Sequence, residues 1–233
     1  MRTPLVVMRL SSFGVLLFMA VDLGAQSAAP APRPVVSQEE TLDPKLVGNR
    51  FPPLQWAEMS EAQKEMTRNV LDGPRTSMGG PFNVMLRSPV MGDLAQELGA
   101  QVRFSSGLAA PLREMTILMA ARHWTSHYEW YAHKSAALTA GLSADIVAAI
   151  AAGERPRAMQ AAEATLHRFC SELLEQKRVS DETFAAAKAA FGEQGIADII
   201  FTLGYYSMVS MLLNVDEHPL PDGVAPELRP LAR

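Results

Sequence analysis

The chain has 233 residues, of which 48% are apolar and 20% charged, and its formal net charge at pH 7 is -4. This length suits one globular domain with a short appendage and excludes a large multidomain machine. Because the charge is mildly acidic and no basic cluster is present, we expect no nucleic-acid partner. The single cysteine, Cys170, excludes an internal disulfide, a Cys-x-x-Cys pair and a cysteine-rich zinc site within one chain.

The N-terminus has the order of features found in a secretory signal peptide. Arg2 and Arg9 precede an apolar run over residues 13–21, and small residues follow over 24–29. The apolar run is shorter than the roughly 20 residues that a membrane-spanning helix needs. We expect a signal peptide over residues 1–27 and an exported protein, periplasmic or secreted, with no membrane span after cleavage. An uncleaved interfacial anchor is the alternative.

Residues 28–50 are predicted to be a linker and N-terminal extension, because the stretch that begins them is rich in alanine and proline. The folded domain is assigned to residues 51–233. Its start is expected between Leu42 and Pro52.

From Trp56 onward, apolar residues recur at helical spacing, and almost no alternating pattern typical of strands is found. The sequence therefore predicts an all-α fold, a compact bundle of about seven or eight helices. The last helix is apolar over most of its circumference, which favours a bundle core or a subunit interface over a membrane helix. Start and stop residues place the helices near 61–71, 88–104, 111–123, 126–140, 143–152, 156–177, 181–191 and 196–215.

Three of the five histidines lie within residues 113–143. His123 and His127 are spaced i, i+4, which lets two imidazoles share a helix face and bind a metal. A helix break is expected near Trp124, however, and His133 lies off that face. We therefore favour capping or solvated histidines and predict no metal. A metal-dependent enzyme that uses all three histidines is an alternative.

Two carboxylates are placed to meet His133. Glu129 precedes it by four residues on the same predicted helix, so the two side chains are neighbours on one face. Glu114 lies 19 residues before His133 on the preceding helix, and a helical hairpin brings it to the same place. Since the segment around Glu114 is apolar, an inward carboxylate there needs a partner. Such a cluster holds one group protonated and another ionised near neutral pH; a surface pair of Glu129 and His133 is the alternative.

This spacing of Glu114 and His133 resembles the carboxymuconolactone decarboxylase and alkylhydroperoxidase D family. That family places a Glu on one helix and a His 19 residues later on the next, as found here. Stretches similar to the family's sequence cover residues 82–214, most of the predicted mature chain. The resemblance implies a helical bundle of the alkylhydroperoxidase D-like type and a homo-oligomer, trimer or hexamer, with sites near the subunit contacts.

Hydroperoxidase members of this family place a Cys-x-x-Cys pair seven and four residues before the His, where this chain has Ser126 and Glu129. A hydroxyl or a carboxylate forms neither a sulfenate nor a resolving disulfide, so thiol peroxidase chemistry of that type is excluded. The resemblance therefore implies the decarboxylase branch, which works without a cofactor or metal. It implies that Glu114, Glu129 and His133 are the catalytic residues. Ser126 is a weaker candidate, as a substrate-binding residue.

Aromatic residues surround this predicted cluster. Trp124, Tyr128 and Trp130 are candidates to line a pocket for a planar ligand, with ordinary core or interface packing as the alternative. Asn83 is a further pocket candidate, whereas His218 in the C-terminal loop is expected to be solvated. We expect an exported enzyme that performs acid/base chemistry on a small carboxylated or aromatic-derived molecule. The alternative is a non-catalytic ligand-binding or scaffold protein on the same fold.

Overall fold

The domain is built around one central helix, α4, which contacts four of the other helices. The computed structural model describes residues 42–75 and 77–230, and within these ranges the chain forms eight α-helices and no β-strand. The predicted all-α bundle is confirmed. The helices are α1 (Glu61–Asp72), α2 (Phe82–Met85), α3 (Pro89–Ala100), α4 (Ala110–His123), α5 (His127–Thr139), α6 (Ala144–Ala152), α7 (Ala161–Gln176) and α8 (Asp181–Asp216).

Local capping explains where several helices begin and end. Ser60 and Gln63 form a reciprocal capping box at the start of α1, and the side chain of Ser180 accepts a hydrogen bond from the Thr183 backbone N–H at the start of α8. Pro89 is the first residue of α3, where its missing N–H has no cost. These starts agree with the sequence prediction.

Helix α7 begins later than predicted. The sequence placed its start near residue 156, whereas the helix begins at Ala161. Gln160 and Glu163 cap this end, and the Gln160 backbone N–H donates to Glu163 Oε2 at 2.7 Å. The proline at 156 therefore belongs to the preceding loop, because the capping box fixes the first turn.

The last two predicted helices are continuous as α8, with a kink between them. Gly192 has φ 67° and ψ 179°, a backbone conformation that favours glycine, and the helix resumes directly after it. Helix α3 ends at Ala100 and passes into a π-helical turn over Gln101–Ser105, within the range predicted as one helix. A short 3-10 turn at Trp56–Glu58 precedes α1.

Helix α4 is buried on all sides. Every residue from Glu114 to Arg122 is buried, and the helix packs against α5, α6, α7 and α8. Charged side chains at the two ends of this buried stretch must find partners inside the protein, because an unpaired buried charge is very costly. The charged residues of the buried stretch of α4, Glu114 and Arg122, therefore need polar partners in the parts of the chain packed around it.

Residues 42–50, assigned from the sequence to the extension, pack on the domain. Leu42 and Leu46 contact the core, and the backbone N–H groups of Asn49 and Arg50 donate to Asp216 Oδ1 and to its carbonyl oxygen, both at 3.1 Å. The described residues from Leu42 onward belong to one compact unit. The predicted signal peptide, 1–27, and residues 28–41 of the extension lie outside the described residues.

Helix α8 is long and apolar enough to span a membrane by length and composition. This is weak support for a span, because buried core helices of globular proteins pass the same test. Half of the apolar 18-residue stretch within α8 is buried inside the protein. Although its apolar sequence predicts burial on several sides, one face of α8 is exposed, at Ile200, Phe201, Met211 and Val215.

Candidate active site

His133 lies between two carboxylates. Its Nδ1 is 2.8 Å from Glu114 Oε2, and its Nε2 is 3.1 Å from Glu129 Oε1. Glu114 comes from α4, and the other two residues lie one helical turn apart on α5. The structure thus contains the cluster that the residue spacing predicted. Glu114, Glu129 and His133 are together called the triad below. The catalytic role of the triad stays a prediction.

A tight connection between α4 and α5 forms the hairpin that assembles the triad. Helix α4 ends at His123, and α5 begins four residues later at His127. Thr125 takes a left-handed conformation with φ 48°, which is rare for a β-branched residue. The Ser126 backbone N–H then donates to Ala121 O at 2.8 Å and closes the turn. The helix break expected near Trp124 is confirmed.

The triad is almost completely shielded from solvent. Glu114, Glu129 and His133 are 5%, 3% and 4% exposed. Arg113 Nε lies 3.9 Å from Glu114 Oε1, so two carboxylates face one guanidinium and one imidazole. When His133 is protonated, these four charges sum to zero. Sequence reasoning missed Arg113, whose signal was only its position beside Glu114.

The environment of His133 favours its charged form. Burial opposes an imidazolium, but the hydrogen bonds to Glu114 and Glu129 outweigh it and raise the pKa of His133 to about 9. The Tyr206 ring packs edge-on against the imidazole, with ring centroids 4.9 Å apart. Burial, followed by the negative charge of Glu129, raises the pKa of Tyr206 well above its usual value. This raised pKa favours a protonated His133 at neutral pH.

A small cavity lies at the N-terminal end of α5. It has a volume of about 280 Å³ and is bounded by the start of α5 and the end of α8. Two predicted substrate contacts, Ser126 and Tyr128, line it. Its full lining is Ser126, His127, Tyr128, Leu213, Asn214, Glu217 and His218.

The other predicted substrate contacts lie elsewhere. Trp130 is 1% exposed, and its Nε1 donates to Glu227 Oε2 at 3.3 Å. Trp124 is partly exposed and packs edge-on against His123. Asn83 is fully buried, and its Nδ2 donates to Phe51 O at 2.6 Å, which fixes the N-terminal segment. None of these three side chains lines the cavity beside α5.

A larger cavity of about 370 Å³ lies where the C-terminal ends of α4, α6 and α7 meet. Arg122, His123 and His167 line it together with acidic side chains of α7. Burial lowers the pKa of both histidines, and the charge of Lys177 lowers that of His123 further. Glu114, Glu129 and His133 line neither of these two cavities.

His218 differs most from its sequence prediction. We expected a solvated side chain, but its ring is buried and its Nδ1 lies 3.2 Å from Asp216 Oδ2. The left-handed residue Glu217 turns the chain back after α8, and the His218 backbone N–H donates to Leu213 O at 3.0 Å. This return turn buries the ring, and the polar loop sequence gave no signal for it.

The three histidines proposed as metal ligands do not meet. His133 has both ring nitrogens bonded to carboxylates, His123 packs on Trp124, and His127 lines the cavity beside α5. Among the residues that the structure describes, no group of three His, Cys, Asp or Glu side chains is arranged to hold a metal ion.

Cys170 should be unreactive in the folded protein. It is completely buried, and burial raises the pKa of its thiol to about 12. Because the thiolate is the reactive form, we expect Ellman's reagent to modify no thiol in native protein and one per chain in denaturant. Cys170→Ser should leave any activity unchanged. Rapid labelling of the native chain would contradict this prediction.

Comparisons with known proteins assign no family, since neither a family model nor a curated protein matches the chain. The fold and the site define the class of protein directly from the geometry. It is an all-helical bundle with a buried cluster of two glutamates and a histidine. A small cavity lies at the start of the helix that carries two of these three residues.

Proposed function

We propose that this protein is an exported enzyme similar to the carboxymuconolactone decarboxylases, which performs cofactor-free acid/base chemistry on a small carboxylated or aromatic-derived molecule. The observation that carries the proposal is the hydrogen bonding of both His133 nitrogens to carboxylates. An imidazole in this arrangement has a fixed orientation and an ionic partner on each side. It holds a proton at neutral pH and can transfer it along a defined direction.

The proposed roles follow from the two contacts of the ring. Glu114 bonds Nδ1, orients the imidazole and stabilises its positive charge. Glu129 bonds Nε2 and lies on the first turn of α5, so it relays the proton between His133 and the substrate. In a decarboxylation, the C–C bond to the carboxylate breaks, CO₂ leaves, and the electron pair stays on carbon as an enolate-like carbanion. The relayed proton then adds to that carbon.

The cavity beside α5 is the proposed substrate site. Ser126 lines it and is the N-cap residue of α5, three residues before Glu129. The partly buried Tyr128 ring offers an apolar surface for a planar substrate. A volume of about 280 Å³ suits a small molecule. Substrate in this cavity would bind at the N-terminal end of α5, whose first turn carries Glu129.

A substrate screen with matched variants tests this function. Lactone acids and aromatic carboxylates are incubated with the full chain, and CO₂ release and product mass are measured. His133→Gln and Glu114→Gln should each lower turnover by about 10²-fold or more, the usual scale for losing a general acid or base. His167→Gln, a histidine in the other cavity, is the control and should retain turnover. Equal turnover in all four proteins would contradict the proposal.

A second function is a non-catalytic ligand-binding or scaffold protein on this fold. The observation that favours it is the burial of the triad, whose side chains bond one another and line neither cavity. In that case the same screen should detect ligand binding by calorimetry without product. Glu114→Gln should then lower the stability and leave ligand affinity unchanged.

The proposal includes export. When the full chain is expressed in a Gram-negative host, mass spectrometry should show an N-terminus between residues 25 and 30, as expected for cleavage among the small residues that follow the apolar run. The processed form should be found in the periplasmic or secreted fraction. A cytosolic protein that retains Met1 would contradict export.

The proposal also includes a homo-oligomer. On α3, Val90, Met91 and Leu94 are 70%, 66% and 60% exposed, and on α8 Phe201 is 56% exposed. Contiguous exposed apolar side chains are typical of subunit contacts. Light scattering at micromolar concentration should report at least a dimer, with a trimer as the form implied by the family resemblance. Leu94→Lys and Phe201→Lys, made separately, identify the helix in contact. The mass of a single chain would contradict this prediction.

A further inference from the structure

Three buried polar atoms without a hydrogen-bond partner belong to residues of one cavity. They are Ser126 Oγ, His127 Nδ1 and His218 Nε2, and all three residues line the cavity beside α5. Buried polar atoms in folded proteins nearly always have a partner, so each exception needs an explanation. Three such atoms on residues that line one cavity of about 280 Å³ indicate a binding site, in which a ligand would supply the missing hydrogen-bond partners.

The hydroxyl of Ser126 does not make the N-cap hydrogen bond that a serine at the start of a helix can make. Ser126 is the N-cap residue of α5, yet its side chain accepts no hydrogen bond from the first turn. Ser60, Ser143 and Ser180 hold the same position in other helices and each makes that cap bond, whereas Ser88 at the start of α3 does not. The Ser126 hydroxyl is therefore buried and uncommitted, as a nucleophile requires.

His218 has the arrangement of a general base. Its Nδ1 lies 3.2 Å from Asp216 Oδ2, and the N–H at that nitrogen donates to the carboxylate, which leaves a lone pair on Nε2. Asp216 is held in turn, because its Oδ1 accepts from the backbone N–H groups of Asn49 and Phe51 at 3.1 and 2.9 Å. Burial lowers the pKa of His218, although Asp216 opposes this, so the ring is neutral at pH 7.

The start of α5 provides donors for a developing negative charge. The first N–H groups of a helix have no partner within the helix, and its N-terminus carries a partial positive charge. Here those N–H groups follow Ser126 directly, and the Ser126 hydroxyl does not cap them. Backbone N–H groups immediately after a nucleophilic serine are a common way to bind the oxyanion formed in acyl transfer.

We propose that Ser126, His218 and Asp216 form an acyl-transfer site for small esters and lactones. Ser126 Oγ attacks the carbonyl carbon while His218 Nε2 takes its proton. The ester C–O bond breaks, and the leaving alkoxide receives that proton. Water then attacks the acyl-serine, giving one proton to His218, and the acid leaves as Ser126 recovers its hydrogen. Asp216 is a positioning residue that holds the ring. Ser126 Oγ and His218 Nε2 have no hydrogen-bond partner in this structure, so the reaction requires the two atoms to approach to hydrogen-bond distance.

This activity goes beyond the acid/base function proposed for the triad and does not depend on it. It uses neither Glu114 nor His133, and its substrate needs an ester carbonyl rather than a free carboxylate. Both reactions would take place in the same cavity. A lactone acid is therefore a molecule on which both could act.

A covalent probe tests the proposal directly. The full chain is treated with a small alkyl fluorophosphonate, and the adduct is located by intact-mass and peptide mass spectrometry. We expect one adduct per chain on Ser126, together with hydrolysis of p-nitrophenyl acetate. Ser126→Ala should abolish both, and His218→Gln should lower the rate by about 10²-fold or more. Asp216→Asn should slow hydrolysis and shift the acid limb of its pH profile to lower pH, since it removes a charge that raises the pKa of His218.

Ser210→Ala is the matched control. Ser210 is also fully buried with an unpartnered hydroxyl, but it lines neither cavity. Its variant should keep both labelling and hydrolysis, and far-UV circular dichroism checks that every variant is folded. Ser126→Cys in a Cys170→Ser background is a second probe, expected to react with iodoacetamide at a rate that falls in His218→Gln. No adduct on Ser126, or hydrolysis unchanged in Ser126→Ala, would overturn the proposal.

Discussion

Replacing His133 with alanine should lower the free energy of unfolding at pH 7 by about 3 to 5 kcal/mol, as is usual when one partner of a buried ion pair is removed. Glu114 and Glu129 both bond this ring, and both are buried. Without the imidazole, two buried carboxylates lose their shared partner, and Glu114 keeps Arg113, whose Nε lies 3.9 Å from its Oε1. Urea denaturation monitored by circular dichroism measures the loss.

Two further variants serve as controls for this loss of stability. His123→Ala removes a half-buried imidazole from the other cavity and should cost less than about 1 kcal/mol. A variant in which Glu114, Glu129 and His133 become Gln, Gln and Leu should recover much of the stability, because no charge is left buried without a partner. A loss of less than about 1 kcal/mol in His133→Ala would contradict a charged triad.

The stability of the protein should fall between about pH 6.5 and pH 9. The hydrogen bonds to Glu114 and Glu129 overcome burial and raise the pKa of His133 to about 9, whereas an unfolded histidine titrates near 6.5. The folded state therefore binds this proton more tightly. Its contribution is complete below pH 6.5 and is lost as the pH rises through 9, a change of about 3 kcal/mol. Urea denaturation at half-unit pH intervals measures it.

Variants separate this titration from those of other groups. Glu114→Gln removes one of the two carboxylate partners of His133, so the decline with pH should become shallower. His167→Gln should leave the decline intact, because the pKa of His167 is lowered by burial and its contribution lies below this pH window. A flat stability profile from pH 6.5 to 9 in the wild-type chain would contradict the raised pKa of His133.

The sequence predicted the triad because its geometry is local. Glu129 and His133 share one helix face by spacing, and a short break after His123 returns the chain beside α4. The apolar composition of α4 also indicated that Glu114 needed an internal partner. Helix spacing and one tight hairpin were sufficient for this part of the site.

The rest of the cavity depends on contacts between distant parts of the chain. His218 and Ser126 line the same cavity because α8 brings its C-terminal end to the start of α5. Asp216 is fixed by the backbone of Asn49 and Phe51, which lie more than 160 residues earlier. No local pattern encodes such contacts, so a polar loop sequence was interpreted as solvated. Asn83 was predicted to line a pocket. Its side chain instead donates a hydrogen bond to the carbonyl oxygen of Phe51, a contact between distant residues that no local pattern indicates.

Nitrogen-15 NMR of histidine-labelled protein tests the central claim most directly. The ring nitrogens of His133, assigned by the signal that disappears in His133→Gln, are followed from pH 5 to 10. A charged imidazole held between Glu114 and Glu129 predicts imidazolium shifts at pH 7, two slowly exchanging ring N–H protons and a midpoint at about 9. A neutral ring at pH 7, with a midpoint at or below the ordinary value of about 6.5, would contradict the account.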